Sequence, residues 1–139
     1  MTGRRGDSSE RLERGLDRRE TGETSGIVES RLTPGVYWLH NDSGDSARVF
    51  AVDATSVVAA RATFTFPGVA ARDWEDVAIG PGPVAGAPYL YVGDIGDNGE
   101  SRSSIQVYRA AEPANPVGAG SFAAVERFDL VYPDHPHNA

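Results

Sequence analysis

After Thr24 the chain spells one succession of four short segments twice, and nothing else in the sequence constrains the fold as strongly. Ser25-Gly26-Ile27-Val28 is answered by Glu75-Asp76-Val77-Ala78, and Val36-Tyr37-Trp38-Leu39-His40 by Tyr89-Leu90-Tyr91-Val92-Gly93. Arg48-Val49-Phe50-Ala51 is answered by Gln106-Val107-Tyr108-Arg109. The fourth segment, Ala62 to Pro67, is matched by Phe128 to Pro133. Order is kept throughout, and the offset of roughly 50–65 residues falls in the range of propeller blades.

Each segment reads as a strand: short, rich in Val, Ile, Phe and Tyr, and bounded by Gly, Pro, Asp and Asn. Phe64 and Phe66 alternate with Thr63 and Thr65, and Phe128, Leu130 and Tyr132 alternate with Arg127, Asp129 and Val131. A two-residue period sends one face into a core and the other to solvent. Asp42 to Asp45 and Gly96 to Gly99 supply turn chemistry between second and third segments. Pro81-Gly82-Pro83 and Glu112 to Gly120 read as loops, and no helix of useful length is expected after Thr24. The expected fold is all-β: two four-stranded antiparallel blades of an incomplete, six-bladed β-propeller. Residues 25–72 form the first blade; residues 73–139 form the second and a linker to a further one. A β-sandwich also uses many short strands, but it does not require a four-strand repeat.

Residues 1–24 stand apart. They carry six arginines and six acidic residues, with Leu12 and Leu16 as the only aliphatic side chains besides Met1. Such a stretch buries too little apolar surface to offset the entropy of ordering it, so a disordered tail is expected. The whole net charge of −7 therefore falls on the remainder, where seven arginines face fourteen acidic residues. An acidic folded part lacks the basic stripe that nucleic acid requires. No cysteine is present, which excludes disulfides and thiol catalysis. No apolar run reaches the length of a membrane span. The first residues have no apolar h-region, so a secretory signal is not read in them; a start upstream would leave export open.

The segments SGIV (Ser25 to Val28), HNDSGD (His40 to Asp45), DWEDVA (Asp73 to Ala78), YLYVGDIGDN (Tyr89 to Asn98) and YPDHPHNA (Tyr132 to Ala139) carry a resemblance. The chain resembles a family of bacterial, notably actinobacterial, β-propeller proteins whose own activity is poorly defined. It is more distantly similar to six-bladed propellers of the gluconolactonase-like and esterase-like phytase groups. The resemblance implies a propeller fold and a continuation of the repeat after the last motif. It implies no defined activity.

Acidic residues occupy corresponding places in the two repeats. Asn41, Asp42 and Asp45 sit in the first turn, and Asp94, Asp97 and Asn98 in the second. Asp73, Glu75 and Asp76 open an innermost strand, where a propeller has its channel. Oxygen ligands converging from loops suit Ca²⁺, so Asp42, Asp45, Glu75, Asp76, Asp94, Asp97 and Asn98 are candidate ligands. The same residue types fill turns for backbone reasons alone. An EF-hand from Asp94 fails, because its twelfth position is Ile105 and not Glu. His40 and His137 are candidates for proton transfer, with His135 beside the latter. Gly-x-Ser-x-Gly is absent, and Gly80-Pro81-Gly82-Pro83 lacks the Lys of a phosphate loop.

Two functions follow. The first is a non-catalytic scaffold that binds a small-molecule or protein ligand on its loop face. The alternative is a Ca²⁺-dependent hydrolase of the lactone or phosphoester type whose channel site is incomplete in these residues. Unpaired blade edges should also let the chain self-associate.

Overall fold

The computed structural model describes residues 24–41, 45–54, 60–97 and 101–133. Among them the chain is all-β, with nine strands: β1 (Thr24–Glu29), β2 (Val36–Asn41), β3 (Arg48–Asp53), β4 (Ala62–Thr65), β5 (Trp74–Pro81), β6 (Pro88–Asp94), β7 (Ile105–Ala111), β8 (Gly118–Ser121) and β9 (Glu126–Leu130). The expected tail, apart from Thr24 in β1, lies outside the described residues.

Two sheets result. Sheet A has the order β1-β2-β3-β4-β8 and sheet B the order β5-β6-β7-β9. β1 to β4 in sheet A, and β5, β6, β7 and β9 in sheet B, pair antiparallel in turn, so each copy of the repeat folds as one meander. Both sheets are open, and no closed ring or barrel forms among the described residues. Tight turns make the meanders possible. Thr33-Pro34-Gly35-Val36 closes with Val36 N–H donating to the Thr33 carbonyl at 3.2 Å, and Gly35 sits at φ 79°. Proline second and a left-handed glycine third is the type II turn chemistry.

Two expectations need correction. Sheet A is five-stranded and mixed, because residues 118–121, which begin inside the expected loop Glu112–Gly120, cross over and pair in parallel with β4. Gly118-Ala119-Gly120-Ser121 has no β-branched or aromatic residue, so propensity gives no strand signal. Its smallness is what the site demands: a Cβ on Gly120 would lie 2.8 Å from the Phe64 ring. The second correction is register. Phe128 pairs with Val107 as Phe64 pairs with Val49, so the fourth segments correspond two residues away from their sequence match. A two-residue slip leaves every side chain on its original face, which is why hydrophobic pattern alone does not fix it.

The first three segments correspond as read. Ile27↔Leu39 and Leu39↔Phe50 in sheet A match Val77↔Val92 and Val92↔Tyr108 in sheet B. Even the irregularities coincide, at Thr24/Gly26 in β1 and Trp74/Asp76 in β5.

The sheets stack face to face. Val36, Trp38, Val49, Ala51 and Ala62 of sheet A pack on Val77, Leu90, Val92, Tyr108 and Ala110 of sheet B. Trp38 meets the Phe64 ring edge to face at 5.8 Å, and Phe66 meets Trp74 likewise at 5.3 Å. Phe122, just past β8, closes the outer rim 4.5 Å from the Phe66 ring. A second buried cluster, Tyr37, Leu39, Phe50 and Val52, lies on the opposite face of sheet A. By register these four are the counterparts of Leu90, Val92, Tyr108 and Ala110. The two sheets thus follow one another front to back, not as mirror images.

One polar contact ties the stack together. Glu112, buried after β7, accepts hydrogen bonds from the Ser30 hydroxyl, Trp38 Nε1 at 3.0 Å and Arg31 N–H at 3.3 Å.

Candidate functional site

Among the described residues, most of the candidates lie at one end of the stack, where β5 and β7 begin and β6 ends. The 66–73 connection leads into β5, and the bulge there turns Asp73 and Glu75 to one side. Both carboxylates crowd Gly96: a Cβ at that position would lie 2.1 Å from Asp73 Oδ2 and 2.5 Å from Glu75 Oε1. Only glycine lets the backbone pass so close. Gly96 N–H donates to the Asp73 carbonyl at 3.1 Å, which locks the approach. Asp76 is exposed, and its Oδ1 accepts from the Val77 N–H at 2.8 Å.

Asp94 closes β6 and is 1% exposed. Its carboxylate accepts the Arg72 N–H at 3.0 Å, the Asp73 N–H at 2.8 Å and Arg102 Nη1 at 2.8 Å. Arg102, 2% exposed, also donates to the Gly96 carbonyl at 3.1 Å, the Ser104 carbonyl at 3.2 Å and Gln106 Oε1 at 2.5 Å. Gln106 passes the network on to Asp129 at 3.1 Å, and Asp129 accepts twice from Arg127. A buried ion pair persists only when its remaining donors and acceptors are satisfied, and here they are. Asp97 accepts the N–H groups of Ser101 at 2.9 Å and Arg102 at 2.8 Å.

Asp45 lies apart from this network, at the β2–β3 end of sheet A. It accepts from Asn41 Nδ2 at 2.9 Å and pairs with Arg48 at 3.0 Å. His40 is fully buried. It fills the seam between β1 and β5, with Nδ1 2.6 Å from the Asn41 carbonyl and its ring edge-on to Trp74 at 6.1 Å. A Cβ at Gly26 would strike His40 Nε2 at 2.5 Å, so Gly26 is the space that the imidazole occupies. Asp42, Asn98, His135 and His137 lie outside the described residues.

A cleft of about 450 Å³ opens beside Asp94, between the 67–72 connection and the start of β7; Arg72, Gln106, Tyr108 and Arg127 line it. Burial, and then the charge of Asp94, pushes the Tyr108 hydroxyl above its ordinary pKa. At Asp97 burial raises the pKa, but the N–H bonds from Arg102 and Ser101 outweigh it and hold the carboxyl below the usual value. Asp129 is lowered by Arg127 and Gln106. At Asp45 burial again raises, and the bonds from Arg48, Ser46 and Asn41 together lower it further. These shifts keep each group in its ordinary neutral-pH form. General acid–base chemistry needs a pKa moved towards the working pH.

For a cation the arrangement is equally telling. Asp45, Asp94 and Asp97 direct their lone pairs at protein donors, and the carboxylates of Asp73 and Glu75 converge beside Gly96. Ca²⁺ takes six to eight oxygens. Among the described residues no three His, Asp or Glu side chains come together.

Sequence reasoning missed Arg102, Gln106, Arg72 and Glu112, which organise the polar interior. A lone arginine five residues after Asp97 of the Asp-x-x-Asp-Asn-Gly run could have signalled a paired carboxylate. Comparison of the chain with family models, curated proteins and solved structures finds no match.

Proposed function

We propose that the chain is a non-catalytic binding scaffold of propeller-type stacked sheets, and that the outer face of sheet B docks a further β-sheet. One observation carries this reading. Trp38, Val49 and Phe64 form the face of sheet A that is buried against sheet B; their register counterparts in sheet B are Tyr91, Val107 and Phe128. Those three share an outward face with no sheet on it among the described residues. Phe128 is 37% and Leu130 47% exposed. Exposed aromatic and aliphatic side chains around a central Arg109–Glu126 pair make this face a candidate interaction surface. The same geometry that stacks sheet A on sheet B supports one more sheet on the open side.

The hydrolase alternative has less behind it, since the carboxylates named for it serve mainly as acceptors for protein N–H groups. Sedimentation velocity over a wide concentration range tests the scaffold reading. With no other sheet supplied, two copies should meet reversibly through this face about a two-fold axis. Phe128→Glu together with Leu130→Glu should abolish the association while leaving the circular dichroism spectrum unchanged, because both side chains are exposed. A chain that stays monomeric at every concentration, and is unaffected by that pair of substitutions, refutes the reading.

A further inference from the structure

The outer edge of sheet A is closed by a strand from the other repeat. β8 leaves sheet B between β7 and β9, pairs in parallel with β4 from Ala62↔Gly118 to Thr65↔Ser121, and returns. Gly118 N–H donates to the Arg61 carbonyl at 3.0 Å and Phe122 N–H to the Thr65 carbonyl at 3.1 Å. Thr65 and Ser121 hydroxyls meet at 2.7 Å, and Arg61 Nε reaches the Pro116 carbonyl at 3.0 Å. Small side chains are obligatory at the centre, where Gly120 lies against the Phe64 ring.

β9 occupies in sheet B the place that β4 holds in sheet A, with Phe128 standing for Phe64, Val125 for Arg61 and Asp129 for Thr65. Among the described residues no strand pairs with β9 on its other side. We propose that this edge is a strand-acceptor site, filled in parallel by an extended segment of small residues with glycine across Phe128. The donor is a peptide segment of another polypeptide with the chemistry of Gly118–Ser121. By the sheet A register, the backbone groups of Val125, Arg127 and Asp129 point outward to receive it. Edge strands with free N–H and C=O groups bind extended peptides by this mode, main chain for affinity and side-chain pockets for choice. Choice comes here from two features. The ring of Phe128 excludes any side chain opposite it, and the Arg109–Glu126 and Arg127–Asp129 ion pairs make the edge unattractive to apolar strands in general.

This inference rests on the repeat correspondence behind the scaffold reading, yet the edge and the face can fail separately. The probe is a fluorescent peptide with the sequence Pro116 to Ala123, titrated into the full chain and read by anisotropy. Saturable binding is expected. Gly120→Val in the peptide should weaken it about tenfold, as should Arg127→Pro in the chain, which deletes one outward N–H. Proline is tolerated on an edge strand, and circular dichroism checks that the fold is kept. No saturable binding, or equal binding by a scrambled peptide, overturns the proposal. So does binding that ignores Arg127→Pro, which would place the peptide on β4 in exchange for β8. Sedimentation of the face variant is unaffected by any of these outcomes.

Discussion

Replacing Arg102 by methionine isolates what the buried polar hub contributes. Met matches much of the aliphatic length but removes the guanidinium, so Asp94 keeps only the Arg72 and Asp73 N–H donors. The Gly96 and Ser104 carbonyls and Gln106 Oε1 lose their donor as well. Both charged side chains are 1% exposed, so solvent offers little compensation in place. Removing one partner of such a pair costs about 3–5 kcal/mol. The neighbouring cleft reaches Asp94 and Gln106 and can admit water, which argues for the lower end, about 3 kcal/mol. That is a large part of a small domain's stability. With a urea m-value of about 2 kcal/mol/M, the unfolding midpoint should fall by about 1.5 M. The companion Asp94→Asn removes the orphaned charge while keeping an acceptor for one of the two backbone donors. Asp94→Asn with Arg102→Met should therefore be milder than the sum of the single changes, by about 2 kcal/mol. Urea unfolding of the four proteins measures this directly. A cost under about 1 kcal/mol for Arg102→Met, or strict additivity, would refute a mutually dependent hub.

Three further outcomes follow from named contacts. Glu112→Ala strips the acceptor from Trp38 Nε1, the Ser30 hydroxyl and the Arg31 N–H, and should lower stability by about 2–4 kcal/mol in the same urea assay; Glu112→Gln, which retains one oxygen, should cost less than half as much. Gly120→Val places a side chain into the Phe64 ring and should cost about 1–3 kcal/mol, with amide exchange accelerating first in β8. Asp45, Asp97 and Asp129 have depressed folded pKa values, so their contribution is complete above the unfolded carboxylate value and is lost as pH falls through the lower folded ones. Urea midpoints should hold steady with respect to these groups between about pH 5 and 7, then drop below about pH 4; Asp97→Asn should flatten that acid limb.

The strands that carry apolar or aromatic side chains were legible, because period and composition both report burial. Trp38, Leu39, Val49 and Phe50 announce themselves as strand core, and all are essentially inaccessible. β8 was not legible, because Gly-Ala-Gly-Ser is chosen for closeness to Phe64 and carries no propensity. The fourth-segment register was out of reach for a different reason: a shift of two preserves the pattern, and only the pairing of Phe128 with Val107 decides it. The acidic turns were found, but their partner was not. Arg102 looks like any surface arginine until the fold brings Asp94, Gly96, Ser104 and Gln106 around one guanidinium.

Within the corresponding faces of the two sheets one pair changes from apolar to charged, and the change bears on what can dock. Ala51 and Ala62, paired in the buried face of sheet A, correspond to Arg109 and Glu126 in the open face of sheet B. Arg109 bonds Glu126 at 2.7 Å and lies over the rings of Phe128 at 4.7 Å, Tyr89 at 5.9 Å and Tyr91 at 5.9 Å. An incoming sheet as apolar as the back of sheet B would cover this ion pair with nothing to bond it, and the desolvation would offset much of the gain from burying Phe128 and Val107. The favoured occupant must therefore bring a polar group opposite Arg109 and Glu126. On the two-copy reading proposed above, the polar group opposite this pair would be the same ion pair of the other molecule. Charge at the centre of an apolar face makes such pairing selective and sensitive to ionic strength. Association should accordingly weaken as salt rises, whereas contact through apolar surface alone would be indifferent to salt or strengthen.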